Sequence, residues 1–146
     1  MTRAYSSSVE TRPQKNLVLI LAREFASKLA TAMFVTDAGG DLVFYNEAAE
    51  ELLGRRFADV GELSASQWSS IFSVTDLDGT PISLEEIPGG VALLERRPAH
   101  RELRFTALDG VPREVSVTGL PLLSHADELV GAVSLFWQPA DDERAG

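Results

Sequence analysis

The sequence predicts an α+β domain: an amphipathic helix, two strands, several short helices and then three sequential antiparallel strands. Three observations carry that prediction. Residues 32–54, AMFVTDAGGDLVFYNEAAEELLG, read as a hairpin running directly into a short capped helix. Residues 14–29 repeat an apolar side chain at every fourth position, at Leu17, Leu21, Phe25 and Leu29. Arg101–Leu108, Glu114–Leu122 and Glu128–Gln138 are extended runs whose short connections suit sequential antiparallel strands.

Taken in order, residues 1–10 form a polar, Ser-rich tail, and Thr11-x-x-Gln14 has the form of a capping box with Pro13 inside the first turn. The helix that follows belongs to a flanking segment over 11–30. Its charges at Lys15, Arg23, Glu24 and Lys28 lie largely off the apolar stripe, which Val18 and Ala22 widen. In the hairpin, Ala32–Asp37 is the outgoing strand, Ala38-Gly39-Gly40-Asp41 supplies the turn, and Leu42–Tyr45 returns. Asn46 stands at an N-cap position, Glu47, Glu50 and Glu51 follow in the early turns, and Gly54 ends the helix. Ser64-x-x-Gln67 is a cap before Trp68, and Asp76-x-Asp78-Gly79-Thr80-Pro81 is turn chemistry. Ser83-x-x-Glu86 is another capping-box match ahead of a helix over Pro88–Arg97, stopped by Pro98. The main domain spans 31–138, and 139–146 is a polar tail or the start of a linker.

Composition narrows the function. A net charge of −9, with 13 basic residues that nowhere cluster strongly, argues against a nucleic-acid partner. With no cysteine there are no disulfides, thiolate metal sites or cysteine nucleophiles, which fits a cytoplasmic protein. The N-terminus lacks the apolar core of a signal peptide. Leu17–Ala22, broken by Arg23-Glu24, is too short to span a bilayer, so no membrane partner is expected. Glu85-Glu86 are sequence neighbours and do not face one another on a helix, so a capping role explains Glu86 better than a catalytic pair. Asp76-x-Asp78-Gly79 starts like a calcium loop, but its twelfth position is Ile87. No nucleophile–base pair or phosphate-binding Gly loop is visible, and the chain reads as a non-enzyme.

Four stretches together resemble PAS sensory domains over roughly Ala30–Gln138. They are Thr36-Asp37, Tyr45-Asn46-Glu47-Ala48-Ala49, Leu108-Asp109-Gly110, and Pro121-Leu122 followed by Leu129-Val130-Gly131-Ala132-Val133. The 76–97 segment, DLDGTPISLEEIPGGVALLERR, is similar to PAS domains attached to bacterial histidine kinases and phosphatases. The resemblance implies a five-stranded antiparallel sheet with short helices over one face and the N-terminal helix on the other. It also implies a sensing or relaying role for a signalling partner or an effector domain outside these 146 residues.

PAS domains differ mainly in what they bind. Flavin-binding light-oxygen-voltage members carry a reactive Cys after the first helix, whereas the matching stretch here is Gly54-Arg55-Arg56-Phe57. Phe105 and Val115 stand where that family has flavin-contacting amides, so flavin is not expected. Haem needs an axial ligand, and His100 and His125, the two histidines, both fall in turn-like segments at strand edges. Strand alternation, read with the resemblance, gathers Phe34, Thr36, Leu42, Phe44, Leu103, Phe105, Val115, Val117, Val133 and Leu135 on the inner face, with Phe57 joining this lining and Leu93 or Leu94 closing over them. These side chains either fill the core or line an apolar pocket suited to a fatty acyl chain or similar molecule.

The helix stripe Leu17, Val18, Leu21, Phe25 and Leu29, together with Phe136 on the other sheet face, offers more apolar surface than one sheet edge needs. A two-fold homodimer covers it. Two other readings stay open. One is a ligand-free protein–protein docking module. The other is a small cyclase-like α+β enzyme, which requires a pocket Asp/His pair using His100 or His125.

Overall fold

The first strand of the chain pairs with the last, and that closure organises the sheet. The computed structural model describes residues 17–71, 73–106 and 110–138, with backbone alone for 69–71. The 1–10 tail, the Thr11–Gln14 cap, the Leu108-Asp109 turn residues and the 139–146 tail lie outside the described residues.

Residues 17–27 are helical and are called α1. The chain continues through β1 (Ala32–Asp37), β2 (Leu42–Tyr45), α2 (Glu47–Leu53), α3 (Phe57–Val60), α4 (Ala65–Ile71) and β3 (Ser73–Thr75). It ends with α5 (Pro88–Glu95), β4 (Ala99–Thr106), β5 (Pro112–Leu123) and β6 (Leu129–Trp137). The sheet order is β2-β1-β6-β5-β4-β3, with every neighbouring pair antiparallel.

Among the described residues the sheet therefore has six strands where five were expected. The addition is β3, a three-residue edge strand paired to β4 through Ser73↔Thr106, Val74↔Phe105 and Thr75↔Arg104. Three residues are too few to display a two-residue period, so the sequence hides it. Helix α5 also stops earlier than expected, because Arg96 enters the left-handed region (φ 55°) and its N–H closes on Ala92 O at 3.1 Å.

Both sheet faces are covered, and their residues interleave along β1 and β6. Ala32 and Phe34 point to one face with Phe136, while Met33 and Val35 point to the other with Val133 and Leu135. Helices α2 to α5 cover the first face. On the second, Leu19, Ala22 and Ala26 of α1, with Leu29 just beyond it, pack onto Met33, Val35 and Val133.

Two β-bulges overturn part of the expected inner face. Between Val35↔Phe44 and Thr36↔Leu42 the returning strand carries one extra residue, Val43. Leu42 and Phe44 therefore point to opposite faces despite their spacing of two, and Phe44 joins the α1 side. Between Leu122↔Gly131 and Leu123↔Leu129 the extra residue is Val130. That single insertion reverses β6: Val133 and Leu135 face α1, and Phe136 faces the helices. The placement of Phe136 on the outer face is corrected accordingly.

Leu29 also leaves the outer stripe. Successive i+4 positions drift about 40° around a helix. In addition α1 ends at 27, where Lys28 and Leu29 N–H close on Phe25 O and Ala26 O at 3.1 Å each. Leu29 then turns onto its own sheet. Leu17, Leu21 and Phe25 remain exposed, as does Ile20, which sequence reading did not include, and Val18 is half-buried. Phe25 is 61% exposed.

One polar side chain ties these layers together. Asn46 is 2% exposed, and its Oδ1 accepts from Ala49 N (3.0 Å), capping α2, and from Met33 N (3.0 Å) in β1. Its Nδ2 donates to Ala26 O and Thr31 O, both at 2.9 Å, at the end of α1 and the entry to β1. All four hydrogen-bonding positions of the amide are used.

Candidate functional site: an apolar cavity between the sheet and α5

Residues of β1, β4, β5 and β6 form the floor of a cavity of about 260 Å³. Phe34, Thr36, Leu103, Phe105, Val115, Val117, Ser134 and Phe136 line it from the sheet, with Leu42 and Val74 beside them. Trp68 of α4 and Leu84, Ile87, Gly89, Gly90, Leu93 and Leu94 on and before α5 form the walls and roof. The lining reaches solvent at Ala38, Gly39, Glu85 and Leu94, which are all exposed.

The rim is set by local chemistry. Asp37 Oδ1 accepts from Gly39 N (3.0 Å) and Asp41 N (3.1 Å), closing the hairpin turn. Asp41 Oδ1 then caps α4 by accepting from Ala65 N at 2.9 Å, and Ser64 and Gln67 complete a reciprocal capping box. Trp68 Nε1 donates to Gly40 O at 3.0 Å, so the indole wall is anchored to the hairpin. Across the rim, a Cβ added at Gly40 would sit 3.8 Å from both Ala65 Cβ and Leu93 Cδ1. At the roof, Ser83 Oγ donates to Glu86 Oε1 at 2.8 Å, which holds the Glu86 carboxyl below its ordinary range. That match closes the turn before α5 and does not cap the helix itself, whose N-cap is Ile87.

Of the residues expected to line a pocket, Phe34, Thr36, Leu42, Leu94, Leu103, Phe105, Val115 and Val117 do border the cavity. Phe44, Val133 and Leu135 lie across the sheet, for the bulge reasons above. Phe57 stands at neither place. Its ring packs edge-on against Phe44 and Tyr45, 5.2 Å from each centroid, with the Arg23 guanidinium 4.7 Å from the Phe44 centroid. Tyr45 is buried there and its hydroxyl donates to Arg55 O at 3.1 Å; burial, then the nearby Glu50 and Asp59, pushes its pKa up to about 12. Sequence reading missed Trp68, Leu84, Ser134 and Glu85 as lining residues. The cap before Trp68 was visible, but nothing local showed that its ring folds back to the hairpin.

Among the described residues, the polar lining side chains besides the Trp68 indole are Thr36, Ser134 and Glu85. Thr36 Oγ1 makes only a long bond to Ala132 O (3.4 Å), and Ser134 Oγ makes none among the described residues. Among the described residues no asparagine or glutamine lines the cavity, and Phe57 is not part of the lining. The polar edge of a flavin finds no matching amide, so these residues do not fit that group. His100 and His125 are both exposed and outside the lining, with His100 Nδ1 and Thr118 Oγ1 at 2.8 Å. Neither is placed to ligate a haem in the cavity or to form the pocket Asp/His pair that a cyclase-like reaction needs. Asp76 pairs with Arg101 at 3.0 Å, and Asp78 accepts from Thr80 N at 2.9 Å; both serve a turn. Among the described residues, no helix is long and apolar enough to cross a membrane.

No protein-family model matches the sequence, and no curated protein matches it. Solved structures do. The PAS domain of a protein from Colwellia psychrerythraea is 18% identical, with a TM-score of 0.59, covering 84% of this chain and 97% of that one. The PAS domain of nitrogen regulation protein NR(II) from Vibrio parahaemolyticus is 20% identical (TM-score 0.57), covering 82% of this chain and 98% of that one. A Rhodobacter sphaeroides LOV protein has a TM-score of 0.63 at 11% identity, covering 87% and 68%.

Proposed function

Starting from the PAS fold of this chain, we propose that it is a cytoplasmic, homodimeric signal-sensing module that takes a small apolar ligand and reports it through α1. One observation carries the reading. The cavity and α1 lie on opposite faces of the same two strands, with Phe34, Ser134 and Phe136 on the cavity side alternating with Met33, Val35, Val133 and Leu135 on the helix side. A ligand that fits one packing of this sheet better than another biases α1 between two positions. The output passes to a separate signalling protein or an effector domain.

The exposed stripe Leu17, Ile20, Leu21 and Phe25 supports a second copy as the cover for α1. A continuous apolar helix face presented to water is unfavourable, and a two-fold interface pairs it with itself. The same stripe supports the alternative of a ligand-free docking module, in which the partner sits on α1 and the cavity stays structural. Light scattering tests the pairing: the wild-type chain runs at twice its 15.8 kDa mass, whereas a Leu21→Glu, Phe25→Glu double variant runs as a folded monomer. A wild-type monomer at tens of micromolar contradicts the dimer.

A further inference from the structure

We propose that the cavity selects neutral, hydroxyl- or carbonyl-bearing apolar molecules and excludes carboxylates such as fatty-acid anions, an inference that rests on the ligand-binding reading above. Among the described residues the lining contains no lysine, arginine or histidine, and its one charged side chain there is the Glu85 carboxylate at the exposed rim. A carboxylate entering past Glu85 meets like charge, and inside it finds no cation to replace its lost hydration. The start of α5 at Gly89 and Gly90 also borders the cavity, but a helix end is a partial charge and does not substitute for a counter-ion.

The floor, in contrast, offers neutral hydrogen bonding. Ser134 Oγ has no partner among the described residues, and it lies against Gly89, where an added Cβ would fall 2.7 Å from it. Thr36 lies on the same face of adjacent β1, diagonal to Ser134 in the register Phe34↔Ser134 and Thr36↔Ala132. Its hydroxyl is committed only through the 3.4 Å contact to Ala132 O. Two hydroxyls at the sheet, surrounded by Phe34, Val117 and Phe136, suit a ligand with one uncharged polar group and an apolar body.

The test uses a matched series, 1-octanol, octanoate and octylamine, titrated into the whole chain at neutral pH by calorimetry or by displacement of the neutral dye N-phenyl-1-naphthylamine. Octanol binds at least tenfold more tightly than octanoate. Ser134→Ala weakens octanol about threefold or more, by a larger factor than it changes the dye's affinity, and Glu85→Lys narrows the gap between octanol and octanoate. Octanoate binding as tightly as octanol overturns the selectivity while leaving a ligand-binding cavity in place. If the dye and all three probes fail to bind to a folded chain, the ligand-binding reading falls, and the selectivity with it.

Discussion

Asn46→Ala lowers the unfolding free energy by about 3–5 kcal/mol, since two buried N–H groups lose their acceptor, at roughly 1–3 kcal/mol each, and two carbonyls each lose a donor, Ala26 O keeping only Leu29 N. The sites are Met33 N, Ala49 N, Ala26 O and Thr31 O. Thr31 lies at the exposed entry to β1, so water recovers part of its loss. Asn46→Asp recovers little, because its second oxygen faces the two carbonyls that the amide nitrogen served. Urea denaturation followed by circular dichroism measures the change. A loss under 1 kcal/mol would show that the four bonds are not jointly made in solution.

The second large effect is at the roof of the cavity. A Cβ at Gly119 would lie 2.3 Å from Pro88 O and 2.7 Å from Gly89 N, backbone atoms that cannot swing aside like a side chain. Gly119→Ala therefore forces the start of α5 off β5, with an overpacking cost of about 3 kcal/mol. Because α5 roofs the cavity, the variant also changes the near-ultraviolet signal of Trp68 and of the phenylalanines lining it. Thr118→Ala, one residue away on the opposite face, is the control and costs about 1 kcal/mol or less. Equal stability of the two variants would contradict the close approach.

The hairpin and the helix after it were legible because each used strong local chemistry. Asp37 and the glycines made the turn, Asn46 made the cap, and Gly54 closed the helix in the left-handed region at φ 78°. Face assignment was legible only while the two-residue period ran unbroken. It held along β4 and along β5 from Val115 to Val117, and it failed across Val43 and Val130. The inserted residues are both valine, and because α1 covers the second face, apolar residues occur on both sides there. Parity could not be read from hydropathy at Val133, Leu135 and Phe136. The tertiary placement of Trp68 and Glu85 depends on contacts between α4, the pre-α5 turn and the hairpin, which local patterns do not encode.

Under the proposed function, the same alternation is the route from cavity to helix. Along β6, Ser134 and Phe136 touch the cavity while Val133 and Leu135 touch the α1 layer. A shift of β1 against β6 large enough to admit a ligand therefore moves residues under Ala22 and Ala26 as well. Asn46 links that shift to the end of α1 through Ala26 O. Hydrogen exchange of the 17–27 amides, measured with and without saturating 1-octanol, tests this coupling most directly. Exchange across α1 slows at least threefold together with that of α5. Protection confined to the cavity-lining segments, with α1 unchanged at saturation, would contradict it.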